Sequence, residues 1–423
     1  MCAEKITISD IKSAEKLLGI TYSKSEREQM VQNLEGQILS AKLRRGIELD
    51  NTTPMASKFD PRLPGFQMPS RSDIKLQKRD IKLPKNKEDI AFASIGEQGK
   101  WIKDGLLTSR KLTEIYLERI ESFESKLECF ATVTKDQALA EADAMDLLTS
   151  AKINLGPLHG IPYGLKDLFD TKGVRTGWGA EPYQNRVPVE DAEIVKRLRA
   201  AGAVILGKTT LGALAYNDIW YGGRTKNPWN LNEGSSGSSA GSASATAAAL
   251  CSFAIGTETL GSITSPSQRC GTTGLRPTFG RVSRQGGMAL CWSLDKIGPI
   301  CRSVEDTGIV LSTLNGYDEN DLSSIRAPFN FDTSKNIKDL VIGYLPEAFE
   351  DGATEVDRAA LKVAMSLGAK VKEVKLEDLP YMSLINILYA EAAAAFEHLT
   401  LSDEDDTLTW QDDGAWPNTF RKA

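Results

Sequence analysis

Between Asn227 and Gln268 the chain carries only two charged residues, Glu233 and Glu258. Charged residues make up 26% of the whole 423-residue sequence. A stretch of this length would ordinarily hold roughly 11 of them. A segment so poor in charge belongs inside a folded body. It contains an unbroken Gly/Ser/Ala run from Gly234 to Ala245. Flexible linkers share that composition, but they stay wet. This run passes directly into Thr246-Ala-Ala-Ala-Leu250, a helical signal, and then Phe253-Ala-Ile255, a strand signal. It is therefore read as packed interior.

Charge and composition exclude several classes. Lys+Arg is 51 against Asp+Glu 57, a net charge of −6, and no long basic run is present. Phosphate-backbone binding is a poor fit, so no nucleic-acid partner is expected. The longest uncharged stretch, Gly234 to Thr257, is too rich in Ser and Gly to span a bilayer. The six cysteines, Cys2, Cys129, Cys251, Cys270, Cys291 and Cys301, form no C-x-x-C pair. They are expected to be buried free thiols in a reducing, cytoplasmic compartment. The opening MCAEKITISD has no apolar core of a secretory signal, although Cys2 after Met1 is also what a processed lipoprotein would show.

Along the chain, two helices are expected in the first 46 residues. Ser9 is a candidate cap for the first. The second begins near Ser25, with Met30, Leu34, Ile38 and Ala41 on one face and Gly46 ending it. Residues 47–88 carry five prolines and little periodicity, which predicts an extended arm and a domain boundary near 88. Leu112, Ile115, Tyr116, Ile120 and Phe123 then mark an amphipathic helix. Phe130–Val133 is a short strand, and Thr134-Lys-Asp-Gln137 is a capping-box pattern opening a helix to about Leu148. Helix signals at 192–201 and a strand at 203–206 continue the alternation, so the fold class is α/β.

Two motif matches fail on context. Gly202-Ala-Val-Ile-Leu-Gly-Lys208-Thr209 has the letters of a phosphate loop, but its interior is itself the strand and a helix precedes it. Gly237-Ser-Ser-Ala-Gly241 fits a nucleophile elbow, which needs an acid and a histidine downstream. The only histidines are His159, in a turn, and His398, in an ordinary helical segment. Both read as structural. A serine nucleophile would then need another base. A buried lysine can serve, because desolvation disfavours its ammonium. Lys166, between Leu165 and Leu168 in a core-like segment, is the candidate, set against an ordinary surface lysine paired with Asp167 or Asp170. Ser262 follows a strand ending near Gly256 and a tight turn. The N–H groups of Thr259, Leu260, Gly261 and Ser262 there can converge on an oxyanion. The alternative for Ser262 is a helix N-cap.

The lysine in G-I-P-x-x-x-K-D, the Gly/Ser loop about 70 residues later, T-E-T-L-G-S-I, G-L-R-P-T-x-G-R-V-S and Ser293-Leu-Asp-Lys-Ile-Gly-Pro299 occur in this order. In that combination the chain resembles the amidase signature family, from about Asp89 to residue 400. That family includes fatty-acid amide hydrolases and the A subunit of the tRNA-dependent glutamine amidotransferase. The resemblance implies a mixed central β-sheet covered by helices on both faces; the chain adds an N-terminal helical extension and proline-rich arm over residues 1–88. It also implies a Ser–cis-Ser–Lys triad without cofactor or metal, in which Ser262 is the nucleophile, Lys166 the base and a serine of the Gly/Ser loop the bridge. The family word G-S-S-G-G-S-A fits this loop in two registers, giving Ser235 or Ser238. In the family the bridge lies 24 residues before the nucleophile, which selects Ser238. The expected substrate is a small-molecule amide, hydrolysed through an acyl-enzyme, and the reading leaves room for a homodimer.

The sequence departs from the family's D-T-G-G-S-I-R, reading Glu258-Thr-Leu-Gly-Ser-Ile-Thr264. Leu260 keeps its backbone N–H, while Thr264 replaces an arginine. Family members run on well past the equivalent of residue 423, so the 89–423 domain is expected to be incomplete at its C-terminus. Two alternatives stay open. One is the A subunit of a tRNA-dependent glutamine amidotransferase, working with partner chains; the other is a nonenzymatic fragment of an amidase.

Overall fold

The structure is a computed structural model that describes residues 5–47, 49–53, 55, 59–77 and 81–423. Contacts divide the chain into two compact units, Met1–Thr53 and Pro54–Ala423. Cys2 lies outside the described residues.

The first unit is the pair of helices Ile8–Leu18 and Lys24–Arg45. The first helix is capped by Thr7, not by Ser9. Thr7 and Asp10 satisfy each other's backbone N–H groups as a capping box, and Ser9 falls inside the first turn. Ser23 and Glu26 make the same motif for the second helix. Its face of Met30, Leu34, Ile38 and Ala41 is only half-buried. Arg27 and Glu15 join the two helices at 2.6 Å.

In the second unit, the proline-rich arm contributes one strand, Asp73–Lys75, paired in parallel with Asn330–Asp332. The centre is a six-stranded sheet. Its strands in chain order are β1 (Phe130–Val133), β2 (Pro162–Lys166), β3 (Val204–Thr209), β4 (Phe253–Glu258), β5 (Thr273–Gly274) and β6 (Lys296–Cys301). They lie side by side as β5-β6-β4-β2-β3-β1. β3, β2 and β4 run parallel, and the remaining pairings are antiparallel, so the sheet is mixed. Every residue of β2 and β3 is buried, as strands covered by helices on both faces require. Leu165, Ile205, Phe253 and Ile255 fill the core against Leu112, Ile115 and Tyr116 of the helix Ser109–Leu127.

The helix after β1 runs Lys135–Ser150, but its capping box does not form. Thr134 instead donates its hydroxyl to the Ile205 carbonyl of β3, 3.0 Å away, so tertiary contact overrides the local motif. From Gly234 to Thr259 the low-charge segment is buried or half-buried, as its composition predicts, but residues 229–233 and Leu260 are exposed, so the expectation holds for its centre and not for its ends. All eight residues of the helix Ala240–Ala247 are buried. Gly241 permits this closeness, because a Cβ there would lie 2.2 Å from the Cys129 carbonyl oxygen. Cys129, Cys251, Cys270, Cys291 and Cys301 are buried free thiols. Among the described residues no helix is long and apolar enough to cross a membrane.

Candidate active site

β2 and β4 are parallel neighbours, so Lys166 and Thr257–Glu258 emerge together at their C-terminal ends. Ligands in α/β sheets gather at that edge. The loop leading into the helix Ala240–Ala247 arrives at the same edge and brings Ser238 and Ser239 beneath it.

Lys166 is fully buried. Its Nζ donates to Ser238 Oγ at 2.8 Å, Ser239 Oγ at 3.0 Å and Thr257 Oγ1 at 2.8 Å. No carboxylate lies within ion-pair distance of it among the described residues. Burial pushes the ammonium well below the ordinary lysine range, against the opposing fields of Asp295 and Glu258. The surface-lysine alternative is therefore wrong for this position. Asp167 pairs elsewhere, with the buried Lys208 at 3.6 Å. Lys208 also donates to the Phe169 carbonyl and Thr176 Oγ1, both at 2.6 Å, so the lysine of the phosphate-loop lookalike pins the segment after β2.

The Gly237–Ser238 peptide is cis. Asn217 lies against this turn, and a Cβ on Gly237 would come within 1.8 Å of its carbonyl oxygen. Among the described residues Ser235 makes no hydrogen bond to Lys166; it donates its hydroxyl to the Ser236 carbonyl at 2.9 Å. The Ser236 N–H donates to buried Asp218 at 2.9 Å, which fastens the loop.

Ser262 sits in the turn between β4 and the helix Thr264–Cys270, half-buried. It is not the N-cap of that helix; Ile263 holds that position and offers no side-chain acceptor. Glu258 takes over the task, accepting the N–H groups of Ile263 at 2.8 Å and Thr264 at 2.9 Å. Arg276 pairs with Glu258 at 3.2 Å, and Thr264, which stands where the family has an arginine, donates its hydroxyl to the same carboxylate at 3.2 Å. Among the described residues, the N–H groups of Thr259, Leu260, Gly261 and Ser262 have no protein acceptor. The turn and the serine loop are linked by the Ser239 N–H, which donates to the Ser262 carbonyl at 3.1 Å. Among the described residues no hydrogen bond joins the Ser262 and Ser238 hydroxyls.

Sequence reasoning missed four contributors. Ser239 and Thr257 complete the hydroxyl set around Lys166. Buried Asp295 accepts Thr259 Oγ1 at 2.5 Å and the N–H groups of Leu290 and Cys291. Lys296 Nζ donates to the Thr259 carbonyl at 2.9 Å. The last two lie within Ser293–Pro299, a motif visible in the sequence but given no role there. Both histidines bind within the scaffold, His159 to Thr149 and Met145, and His398 to Tyr183.

The amidase family model matches residues 111–421. The A subunit of a glutamyl-tRNA(Gln) amidotransferase from Geobacter sp. (strain M21) is 38% identical over 317 residues, covering 73% of this chain and 65% of that protein. The chain thus spans just under two thirds of the length of such curated relatives. Among solved structures, the native peptide amidase of Stenotrophomonas maltophilia is 29% identical with a TM-score of 0.68, covering 78% of this chain and 74% of the other. A protein from a vestigial complex related to the origins of an s-triazine catabolic enzyme is 31% identical with a TM-score of 0.71, at 78% and 72% coverage. By family match, fold and similarity to these proteins, the chain belongs to the amidase signature family.

Proposed function

We propose that the chain hydrolyses a carboxylic amide through a serine acyl-enzyme. The observation that carries this reading is buried Lys166, depressed towards its neutral form and hydrogen-bonded to Ser238 rather than to a carboxylate. Rotation of the Ser262 hydroxyl onto Ser238 Oγ completes a relay. Ser262 Oγ attacks the amide carbon as its proton passes to Ser238, whose own proton passes to Lys166 Nζ. The oxyanion rests on the unclaimed N–H groups of the 259–262 turn. The proton returns through Ser238 to the amide nitrogen, the C–N bond breaks, and an amine or ammonia leaves. Water then attacks the ester under the same base, releasing the acid and restoring Ser262.

The test is covalent capture. A fluorophosphonate should label the chain at a single peptide containing Ser262, and the label should vanish in Ser262→Ala and Lys166→Met. Labelling at another serine, or none, would overturn the assignment.

A second reading has support from the relatives named as amidotransferase subunits. In it, the same acyl-enzyme chemistry releases ammonia from glutamine for use by partner chains. Glutaminase activity that emerges only when the chain is co-expressed with such partners would favour it over free amide hydrolysis.

A further inference from the structure

We propose that Lys296 is a positioning residue that aims the Leu260 N–H into the oxyanion site. The inference rests on the reading of Ser262 as nucleophile. Thr259, which opens the turn, is held at two points by Asp295, which precedes β6, and Lys296, its first residue. Asp295 accepts its hydroxyl, and Lys296 donates to its carbonyl. The carbonyl of Thr259 and the N–H of Leu260 belong to one planar trans peptide unit, so they point in opposite directions. Fixing the carbonyl towards Lys296 fixes the Leu260 N–H away from it. Among the described residues that N–H has no acceptor. A lysine on the carbonyl also polarises the peptide and strengthens the N–H at its other end.

The placement of Lys296 suits this task. It lies opposite Glu258 in the β4–β6 register, so the strand pairing itself delivers Nζ to the turn. Its stem is partly buried while the Leu260 side chain is 63% exposed. The turn therefore has little apolar packing of its own at Leu260 to set the peptide plane. Asp295 alone leaves the plane of the 259–260 peptide free to rotate, because it holds only the Thr259 side chain. Burial weakens the Lys296 ammonium, with Arg276 adding to the effect, against the attraction of Asp295 and Glu258. Neutral or charged, Nζ remains a donor to the carbonyl.

The experiment compares wild type, Lys296→Met and Lys296→Gln in the full chain. It uses the second-order rate of fluorophosphonate labelling at Ser262, the affinity for a trifluoromethyl ketone, which forms an oxyanion on the same serine, and the thermal midpoint. Lys296→Met should slow labelling and weaken the ketone by roughly 10- to 100-fold, within what loss of one oxyanion donor costs. Lys296→Gln, which retains a donor, should recover part of both. Affinity for the corresponding carboxamide, which carries no oxyanion, should be unchanged. Parallel losses for ketone and carboxamide, or no loss in either, with a folded Lys296→Met protein, would overturn the assignment. If Lys296→Met fails to fold, the Gln variant carries the same comparison, and equal ketone-to-carboxamide ratios in it and wild type would overturn it too. Wild type that is unlabelled at Ser262 would instead remove the nucleophile reading beneath it.

Discussion

The backbone N–H of Ser239 donates to the carbonyl of Ser262 at 3.1 Å, so the loop below Lys166 and the turn above it are bonded directly to each other. Two segments far apart in the chain are thereby tied together at the sheet edge. Lys166 reinforces the join by reaching across from a third segment to Ser238, Ser239 and Thr257. The arrangement places a desolvated amine beside serine hydroxyls without a competing anion.

The first prediction concerns the two ends of the relay. Ser262→Ala and Lys166→Met should each lower kcat by about a thousandfold or more, since residues acting as one unit fail together. Both proteins should stay folded, because methionine fills the volume of the buried lysine stem. Steady-state amide hydrolysis with a melting curve for each variant checks this. A Lys166→Met protein with near wild-type kcat would sink the mechanism.

The second follows from the sign of the Lys166 shift. A base must be neutral, so activity should rise with pH through an apparent pKa below the ordinary lysine value of about 10.4. Stability should rise in the same direction. Between the depressed native pKa and about 10.4 the unfolded chain holds a proton that the native chain lacks, so raising pH favours the native state. Lys166→Met should reduce that slope. Melting midpoints from pH 7 to 10 for the two proteins give the comparison.

The third separates the serines of the low-charge loop. Ser238→Ala should cost orders of magnitude in rate, whereas Ser235→Ala should be mild, because Ser235 spends its hydroxyl on the neighbouring Ser236 carbonyl. Ser239→Ala should fall between them. Its oxygen accepts from Lys166 and from the Thr257 N–H, and donates to the Thr257 carbonyl, so its loss frees the lysine to swing. Rates ranked in the opposite order for Ser235 and Ser238 would show the bridge to be misassigned.

The sequence carried the α/β alternation and the buried centre because apolar spacing and the lack of charge are local signals. The 24-residue spacing supplied by the family resemblance pointed to Ser238 rather than Ser235, and it is the Ser238 hydroxyl that lies 2.8 Å from Lys166 Nζ. What escaped it were contacts made by register. Thr134 looked like a cap, yet β3 presented a carbonyl that took its hydroxyl. Ser262 looked like a cap too, yet Glu258 folded back to serve the helix. Asp295 and Lys296 sat in a visible motif, but nothing local says that the β4–β6 pairing sets them against Thr259. The strand at Asp73–Lys75 was hidden for the same reason, as its partner lies some 257 residues away.

The last prediction tests the lysine that imitates a phosphate loop. Lys208 is fully buried and is the near counter-charge of Asp167. Among the described residues, the only other polar partner of that carboxylate is the Gly177 N–H at 2.9 Å. Burial lowers the Lys208 ammonium and raises the Asp167 carboxyl, each opposed by the other's charge. Replacing the lysine strands the carboxylate in the interior. Lys208→Met should therefore cost about 3–5 kcal/mol of stability, the usual consequence of breaking a buried pair from one side. It also releases the Phe169 carbonyl and Thr176 hydroxyl, so the segment after Lys166 loosens and activity falls with stability. The double variant Lys208→Met/Asp167→Leu should recover much of the loss, since an apolar pair of similar volume carries no stranded charge. Urea midpoints for the single and double variants measure this coupling. A single variant as stable as wild type would mean that the pair contributes nothing. A wild-type melting point raised by ATP with magnesium would reopen the nucleotide reading that the position of Lys208 argues against.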